Sequence, residues 1–293
     1  MKQFLTLCFS VICVSLSFGQ SEFFQTEFQW DEPEFEQSFL LQHQIKSIEV
    51  KTYHNGGETR DEVAKGATYE YDEKGRMVQM VETQYDDTSK IHDFLYSDRG
   101  VLKWLDVTDK TWNKTYRSGY RFTGNQNVFQ VKSYELLRND ERMLLDTRQY
   151  VYSKDSLLKA IIFKEGLNTV RRHEYDHDPE RRVVQERFLV GKENMWAKTV
   201  SYEYDDSGNI TRILVEEQGK EGKESHEYRY QYNPQDKPVL VEWLDNAQPK
   251  GKVAYTYDEA GKLLRMKREV QTLGKDAAQL VQVFEYESFA AAK

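Results

Sequence analysis

Residues 202–210 read Tyr-Glu-Tyr-Asp-Asp-Ser-Gly-Asn-Ile, and this short stretch decides the fold. Residues 69–77 and 255–263 repeat it as Tyr-Glu-Tyr-Asp-Glu-Lys-Gly-Arg-Met and Tyr-Thr-Tyr-Asp-Glu-Ala-Gly-Lys-Leu. Looser copies lie between and around these three. The second aromatic residues of the copies are Tyr71, Tyr96, Phe122, Tyr152, Tyr175, Tyr204, Tyr232, Tyr257 and Tyr286. Their spacing of roughly 23 to 30 residues is typical of repeat architectures.

Each copy predicts one β-hairpin. Tyr202 and Tyr204 would point to one side of a strand, because side chains alternate between the two faces. Asp205 then opens a turn in which its carboxylate accepts backbone N–H groups, and Gly208 supplies the left-handed residue that closes the loop. The matching turn residues of the other two sharp copies are Asp72, Gly75, Asp258 and Gly261.

The predicted fold is all-β, an antiparallel meander of about nine hairpins. Eighteen strands at about 4.8 Å would make a sheet more than about 80 Å wide, and open sheets of that width twist and curl. We therefore expect a long, open, coiled sheet. A hairpin at the end of such a sheet has one neighbour, so Tyr204→Ala in the middle should destabilise the protein more than Phe284→Ala in the last copy.

The pattern Tyr-x-Tyr-Asp-x-x-Gly, followed by a basic or polar residue and an apolar one, resembles the YD repeat, also called the RHS repeat. This repeat is found in the shells of Rhs and Tc toxins and in teneurin-like surface proteins, and the resemblance covers roughly residues 45–288. It implies a ribbon of β-hairpins. The period here is longer than is usual in that family, and the chain is too short for a closed shell of that kind.

The chain divides into three predicted segments. Residues 1–19 combine Lys2, an apolar run and small residues at Ser17 and Gly19, which predicts a signal peptide and export to the periplasm or the cell exterior. Residues 20–44 alternate acidic and aromatic residues around Pro33, and are interpreted as a strap over the sheet or its first edge, or as a segment that docks a partner. Residues 45–293 form the single repeat domain.

The composition argues against several kinds of partner and site. Both cysteines, Cys8 and Cys13, lie in the predicted signal peptide, so we expect no disulfide and no cysteine metal site in the exported chain. The formal net charge of −8 and the lack of a basic run argue against nucleic acid. No apolar run is long enough to predict a transmembrane segment. No cofactor is predicted, and the oligomeric state is left open.

Residues 173–177, His-Glu-Tyr-Asp-His, match the H-E-x-x-H zinc motif, in which a helix places two histidines one turn apart on the metal. His173 and His177 are therefore a candidate metal pair. Pro179 follows at once and would break a helix. The repeat also accounts for Glu174, Tyr175 and Asp176, which predicts a strand in which the two histidines diverge.

The function predicted from the sequence is that of an exported, non-enzymatic repeat scaffold that binds a glycan or a protein at the cell envelope. Trp112 and Trp196, near the connections between hairpins, are the candidate ligand contacts, because flat indoles stack on sugar rings. One alternative is a secreted hydrolase with a glycosidase-like carboxylate pair in a groove of the sheet. Another is a purely structural, shell-like fragment.

Overall fold

A computed structural model describes most of the chain. It covers residues 37–54, 63–85, 87–123, 127–137, 141–166, 168–191, 195–219, 222–270 and 278–289. The predicted signal peptide and residues 20–36 of the predicted strap lie outside these ranges. The described part contains a short helix and 18 strands. These are α1 (Gln37–Gln42), β1 (Ile45–His54), β2 (Val63–Tyr71), β3 (Met77–Gln84), β4 (Asp87–Tyr96), β5 (Leu102–Asp109), β6 (Lys114–Phe122), β7 (Val128–Leu136), β8 (Arg142–Tyr152), β9 (Leu158–Glu165), β10 (Asn168–His177), β11 (Val183–Val190), β12 (Met195–Tyr204), β13 (Ile210–Gly219), β14 (Gly222–Tyr232), β15 (Pro238–Asp245), β16 (Gln248–Tyr257), β17 (Leu263–Val270) and β18 (Ala278–Ser288).

Every strand pairs antiparallel with the next strand in the sequence, from β1 to β18. In each pair joined by a repeat turn, the ladder shifts register at the aromatic residue before the turn. Tyr202 lies opposite Ile213 and Glu203 opposite Arg212, whereas Tyr204 lies opposite Ile210. One extra residue on the returning strand is the mark of a β-bulge, which the left-handed residue of the turn requires.

The sheet is closed, and the prediction of an open, coiled sheet is wrong. Strand β18 pairs with β1 as well as with β17, so that Phe284 lies opposite Val50 and Tyr286 opposite Ile48. The backbone N–H of Phe289 extends this junction by donating to the carbonyl oxygen of Gln44 at 2.8 Å. An open sheet would leave two edge strands with unpaired backbone groups, and closure into a barrel satisfies both edges at once.

One face of the closed sheet is enclosed, and it carries most of the core. Val200 and Val215 are directly opposed on it, as are Val241 and Val253, and all four are at most 3% exposed. The alternation of side chains makes each repeat contribute its Tyr-x-Tyr pair to this face. The tyrosines of the predicted hairpins therefore lie on the enclosed face of the barrel.

Helix α1 packs against the enclosed core. Leu40 is 2% exposed and lies in a cluster with residues of β1–β3 and β15–β18, with Phe39 packed against the same cluster. The side-chain amide of Gln37 donates to the carbonyl oxygen of Lys74 at 2.7 Å, and the Lys237 ammonium lies 5.3 Å from the centre of the Phe39 ring. The last residues of the predicted strap therefore belong to the barrel core.

The barrel has two different ends. The five-residue repeat turns all lie at one end, which we call the turn end; the turns wholly within the described ranges are 72–76, 97–101, 153–157, 178–182, 205–209, 233–237 and 258–262. The other connections lie at the opposite end, the loop end, and vary from two residues (246–247) to eight (55–62). Regular geometry is confined to the turn end.

Candidate functional site

The repeat turns share one hydrogen-bond pattern. The first residue of each turn bonds through its backbone to the fourth and fifth, and its side-chain oxygen also accepts the N–H of the fifth. Gly75, Gly208 and Gly261 occupy the fourth position with φ of 66°, 89° and 80°. Non-glycine residues adopt the same left-handed conformation in three other turns, namely Ser156, Arg181 and Asp236. These turn residues therefore have a structural role in forming the hairpins.

The repeat tyrosines join each hairpin to the one before it. Among the described residues, six of them donate a hydroxyl hydrogen bond, at 2.6 to 2.9 Å, to the carbonyl oxygen of the first residue after the previous repeat turn. The six tyrosines are Tyr96, Tyr152, Tyr204, Tyr232, Tyr257 and Tyr286. Burial raises the pKa of Tyr204 to about 12, which keeps this donor protonated. The second tyrosine of the motif is thus a backbone latch.

The basic residue after the turn glycine reinforces the latch. Arg76 donates to the Asp72 carboxylate through Nε at 2.8 Å, and its guanidinium lies 4.6 Å from the centre of the Tyr96 ring. Arg182 repeats this arrangement with Asp178 and with the Tyr204 ring. Burial alone would raise the pKa of Asp72, but hydrogen bonds from the side chain and backbone of Arg76 outweigh it and hold the pKa below its usual value. The turn end is therefore structural.

A band of polar side chains interrupts the apolar enclosed face on β8–β15. We call it the polar belt. Its members are Arg148, Arg171, His173, Glu186, Lys198, Glu217, Glu224, His226 and Asp245. The ladder places them on the enclosed face: Lys198 has the strand parity of Val200 and Tyr202, and it lies opposite Phe188 on one side and Glu217 on the other. Buried charge is costly, so a belt of this kind demands an explanation beyond packing.

The cationic half of the belt surrounds two phenylalanines. Arg171 lies 4.5 Å and Arg148 lies 5.9 Å from the centre of the Phe163 ring, and the Lys198 ammonium lies 5.6 Å from that of Phe188. The His173 ring lies between the two phenylalanines, 4.7 Å from Phe163 and 4.2 Å from Phe188. Burial and the positive charges of Arg171, Arg148 and Lys198 lower the pKa of His173 to about 3, so this histidine is neutral.

Glu186 and Lys198 are the most deeply enclosed charges of the belt. The Tyr202 hydroxyl donates to the Glu186 carboxylate at 2.8 Å, and burial raises the pKa of Glu186 despite this bond. Lys198 is 9% exposed, and burial lowers its pKa although Glu217 and Glu186 oppose the change. Both groups are thus easier to neutralise than their counterparts on the surface, as is common at functional sites.

The acidic half of the belt lies on β13–β15, and Asp245 is the last residue of β15 before a connection at the loop end. Glu217 and Glu224 are directly opposed in the ladder. The His226 ring has its Nε2 atom 3.4 Å from Glu217 and its Nδ1 atom 2.7 Å from Asp245. The side chains of Glu217, His226 and Asp245 are 27%, 30% and 36% exposed. Solvent therefore reaches this half of the belt more readily than Lys198.

The candidate pair His173 and His177 lies on strand β10, not on a helix. Four residues of strand span about 13 Å, and a register shift separates Asp176 from His177. The strand therefore does not bring the two rings together. Burial lowers the pKa of His177 as well. Of the two histidines, His173 belongs to the polar belt.

The candidate indoles lie at the loop end, on different parts of the ring. Trp112, in the connection between β5 and β6, is 73% exposed, and its backbone N–H donates to the Asp109 carboxylate at 3.0 Å. Trp196 is in β12 opposite Leu189, six strands further round from β6; its side chain lies outside the described part of the structure. Tyr85, also at the loop end, is 72% exposed. Trp112 thus presents an indole surface to solvent.

The outer face carries rows of ion pairs. Arg117 donates to both oxygens of Asp106, and Arg212 bridges Glu203 and Glu227. A groove of about 370 Å³ lies at Arg229, Glu242, Trp243, Leu244, Pro249, Gly251, Lys252 and Glu269. Ion pairs on an exposed face suit contact with water and contribute little stability each. In the described ranges, no helix is long and apolar enough to cross a membrane.

Sequence reasoning missed the polar belt, although the sequence contained a signal for it. Lys198 has the strand parity of the buried Val200 on its own strand, and of Tyr202 in the repeat motif. A charged residue at a core-facing position of a strand is the anomaly to look for. The tyrosine motif itself carries no signal for a charged residue such as Lys198, which lies four residues before Tyr202.

Comparisons with known proteins find distant structural similarity and identify no family. No family model and no curated protein match the chain. The crystal structure of TcdB2-TccC3-TEV is 11% identical, with a TM-score of 0.35 over 70% of this chain and 14% of that one. The structure of TcdB2-TccC3 without its hypervariable C-terminal region is also 11% identical, with a TM-score of 0.36 over 73% of this chain and 14% of that one.

A porin-like protein from Bacteroides uniformis covers more of both chains. It is 10% identical, with a TM-score of 0.43 over 83% of this chain and 98% of that one. The chain thus spans a small part of the TcdB2-TccC3 chains and nearly all of the porin-like one. The likeness is one of distant antiparallel β-structure, and we base no functional conclusion on it.

Proposed function

We propose that this protein is an exported, non-enzymatic YD-repeat scaffold that binds a carbohydrate of the cell envelope along the polar belt. The observation that carries the proposal is the burial of two charged side chains, Lys198 and Glu186, on the enclosed face that holds most of the apolar core. Such charges cost stability, and the latches at the turn end already hold the hairpins together. A binding role explains why the belt is retained.

The belt has the chemistry that carbohydrate needs. Charged and hydroxyl groups such as Lys198, Glu186 and Tyr202 can hydrogen-bond sugar hydroxyls, and Phe163 and Phe188 offer apolar ring faces beside them. Exposure increases from Lys198 towards Asp245, so a ligand would enter from the loop end. The indole of Trp112 is exposed at that end and would add a stacking surface there.

The arrangement of acids favours binding over hydrolysis. A glycosidase needs two carboxyl groups that flank one bond, with the pKa of one of them raised. Glu186 has the raised pKa, but the neighbours that act on it in the described structure are Tyr202 and Lys198. The other belt acids gather at His226 instead. The hydrolase remains the rival hypothesis, and it assigns the role of acid to Glu186.

A carbohydrate array tests the proposal. The purified protein would be screened against envelope oligosaccharides, and the strongest ligand titrated by calorimetry into the wild type, Lys198→Met and Lys252→Met. Lys252 is the matched control, because it makes an ion pair with Glu269 on the outer face and its side chain is 52% exposed. We expect Lys198→Met to weaken binding at least tenfold and Lys252→Met to leave it unchanged.

Three outcomes would overturn the proposal. Equal weakening by the two lysine variants would place the ligand outside the belt. Cleavage of the bound oligosaccharide, lost in Glu186→Gln, would establish the hydrolase. Absence of any carbohydrate ligand, together with capture of an envelope protein that survives Lys198→Met, would replace the carbohydrate with a protein partner at another surface.

A further inference from the structure

Glu217, Glu224 and His226 form a compact set of metal-ligand atoms among the described residues. One ligand atom from each lies within 4.8 Å of the other two. All three side chains are half-buried on the enclosed face, in the acidic half of the polar belt. One imidazole and two carboxylates are ligands that zinc accepts in proteins. We propose that these three residues bind a divalent transition metal of the Zn²⁺ class.

The separations suit a common metal centre. Ligand atoms at about 2.1 Å from a tetrahedral Zn²⁺ are roughly 3.4 Å from one another. The Nε2 atom of His226 and the Oε1 atom of Glu217 are already 3.4 Å apart. Glu224 needs only side-chain rotation to complete the set, because its strand position lies directly opposite Glu217. Three protein ligands leave a fourth position for water or for an oxygen atom of a bound ligand.

Asp245 orients the histidine for this role. Its Oδ1 atom is 2.7 Å from Nδ1 of His226, and a hydrogen bond from Nδ1–H to this carboxylate would hold the ring in place. Nε2 is then the nitrogen left for a metal, and it faces Glu217. Metal-bound histidines commonly donate their other N–H to a carboxylate in this way. Asp245 is therefore a positioning residue and not a ligand.

The ladder supplies an independent reason to expect a cation. Glu217 and Glu224 are directly opposed across two strands, and like charges in that position destabilise a sheet. Lys198 lies opposite Glu217 on its other side and compensates part of the charge. Two glutamates and Asp245 still face one ammonium group and one imidazole. A divalent cation between Glu217, Glu224 and His226 would remove the repulsion.

The inference holds whether or not the belt binds carbohydrate, and its test uses metal alone. Zn²⁺ would be titrated by calorimetry into protein freed of metal with a chelator and dialysed. We expect one saturable site, with Ca²⁺ binding more weakly because it prefers oxygen ligands. His226→Ala should lower the affinity at least tenfold, and Asp245→Asn should lower it by about 10- to 100-fold.

His92→Ala is the matched control. His92 also contacts a glutamate on the enclosed face, with Nε2 2.7 Å from Glu82, but it lacks the second glutamate and the orienting aspartate. Its loss should leave Zn²⁺ affinity unchanged. Equal losses in His92→Ala and His226→Ala, or no saturable binding up to about 1 mM Zn²⁺, would overturn the proposal. Circular dichroism would check that each variant is folded, and Asp245→Asn decides the matter if His226→Ala is not.

Discussion

The two ends of the barrel solve different problems with the same strands. At the turn end, an oxygen-bearing side chain and a left-handed residue recur in every described turn, and a tyrosine hydroxyl recurs in most hairpins. A cation lies over the ring of Tyr96, Tyr204, Tyr257 and Tyr286. At the loop end, the connections differ in length, Trp112 and Tyr85 are exposed, and the enclosed face becomes polar. The repeat encodes the barrel from one end and leaves the other end free to vary.

This difference separates stability from recognition within each hairpin. The latch bonds tie neighbouring hairpins close to the turns, so residues nearer the loop end are under less structural constraint. A charged residue such as Lys198, close to the loop end, is tolerated there although its burial costs stability. Substitutions at the turn end should therefore change folding, and substitutions in the belt should change binding and pH dependence.

The largest expected effect tests whether β1 and β18 pair and close the sheet. An open sheet would make Phe284→Ala milder than Tyr204→Ala. Closure reverses the order, because Phe284 is 4% exposed between β17 and β1 whereas Tyr204 is half-buried. We expect Phe284→Ala to cost about 3–5 kcal/mol and Tyr204→Ala clearly less, from denaturant midpoints at constant slope. A smaller loss for Phe284→Ala would contradict closure in solution.

The second prediction contrasts the belt with the turns through pH. The pKa of His173 is about 3 in the folded chain and about 6.5 in an unfolded one, so its stability contribution is complete above pH 6.5 and is lost as the pH falls towards 3. His173→Phe should remove that loss. The stability difference between the two proteins should change by at most about 2 kcal/mol from pH 6.5 to 5, measured by urea unfolding.

The turn carboxylates should respond at lower pH. The pKa of Asp72 is held below its usual value, so its contribution is present above about pH 4 and is lost only as the pH falls below that. The unfolding free energy of Asp72→Asn should therefore change with pH in the same way as that of the wild type between pH 6.5 and 5. A pH slope in that window that Asp72→Asn abolishes and His173→Phe retains would break the proposed division between the two regions.

A tyrosine latch is expected to contribute about 1 kcal/mol. Tyr257→Phe removes the hydroxyl that donates to the Pro238 carbonyl oxygen at 2.9 Å and should lower the unfolding free energy by that amount. The chain offers the reverse change. Phe122 occupies the latch position without a hydroxyl, so Phe122→Tyr should stabilise the protein, by less than the Tyr257 loss. Two neutral results in chemical denaturation would show that the latch is incidental.

The smallest effect concerns the left-handed turn residue. Ser156 has φ of 62°, a conformation that costs a side-chain-bearing residue energy, so Ser156→Gly should stabilise by about 0.5 kcal/mol. Gly208→Ser is the reciprocal change. A Cβ at Gly208 meets no atom within 4 Å, so its loss of about 0.5–1 kcal/mol would be conformational. Changes of the same sign in the two variants, by thermal unfolding, would contradict the shared turn geometry.

The sequence was sufficient to predict the hairpins because each carries its own signal. Tyr204, Asp205 and Gly208 define a strand end and a turn locally, without reference to any other part of the chain. Closure was not predictable in this way. It depends on pairing between β1 and β18, and β1 lacks the motif, so nothing near Ile48 or Val50 indicates a partner more than 230 residues away.

The candidate site divides in the same manner. Trp112 was a candidate because it lies near a connection between hairpins, and its side chain is exposed there. The cluster of Glu217, Glu224, His226 and Asp245 was not, because its members come from three strands and their faces depend on register. The histidine pair His173 and His177 matched a motif whose geometry exists only on a helix, and the repeat imposes a strand there.

Closure between the first and last strands also constrains how such a protein can evolve. An antiparallel ring needs an even number of strands, since an odd number would force one neighbouring pair to run parallel. Each repeat supplies two strands, so duplication or deletion of a whole repeat preserves this parity, whereas gain or loss of a single strand does not. The circumference grows with strand number, so the number of repeats sets the internal width of the barrel. Recombination between repeats would therefore resize the interior in steps of two strands.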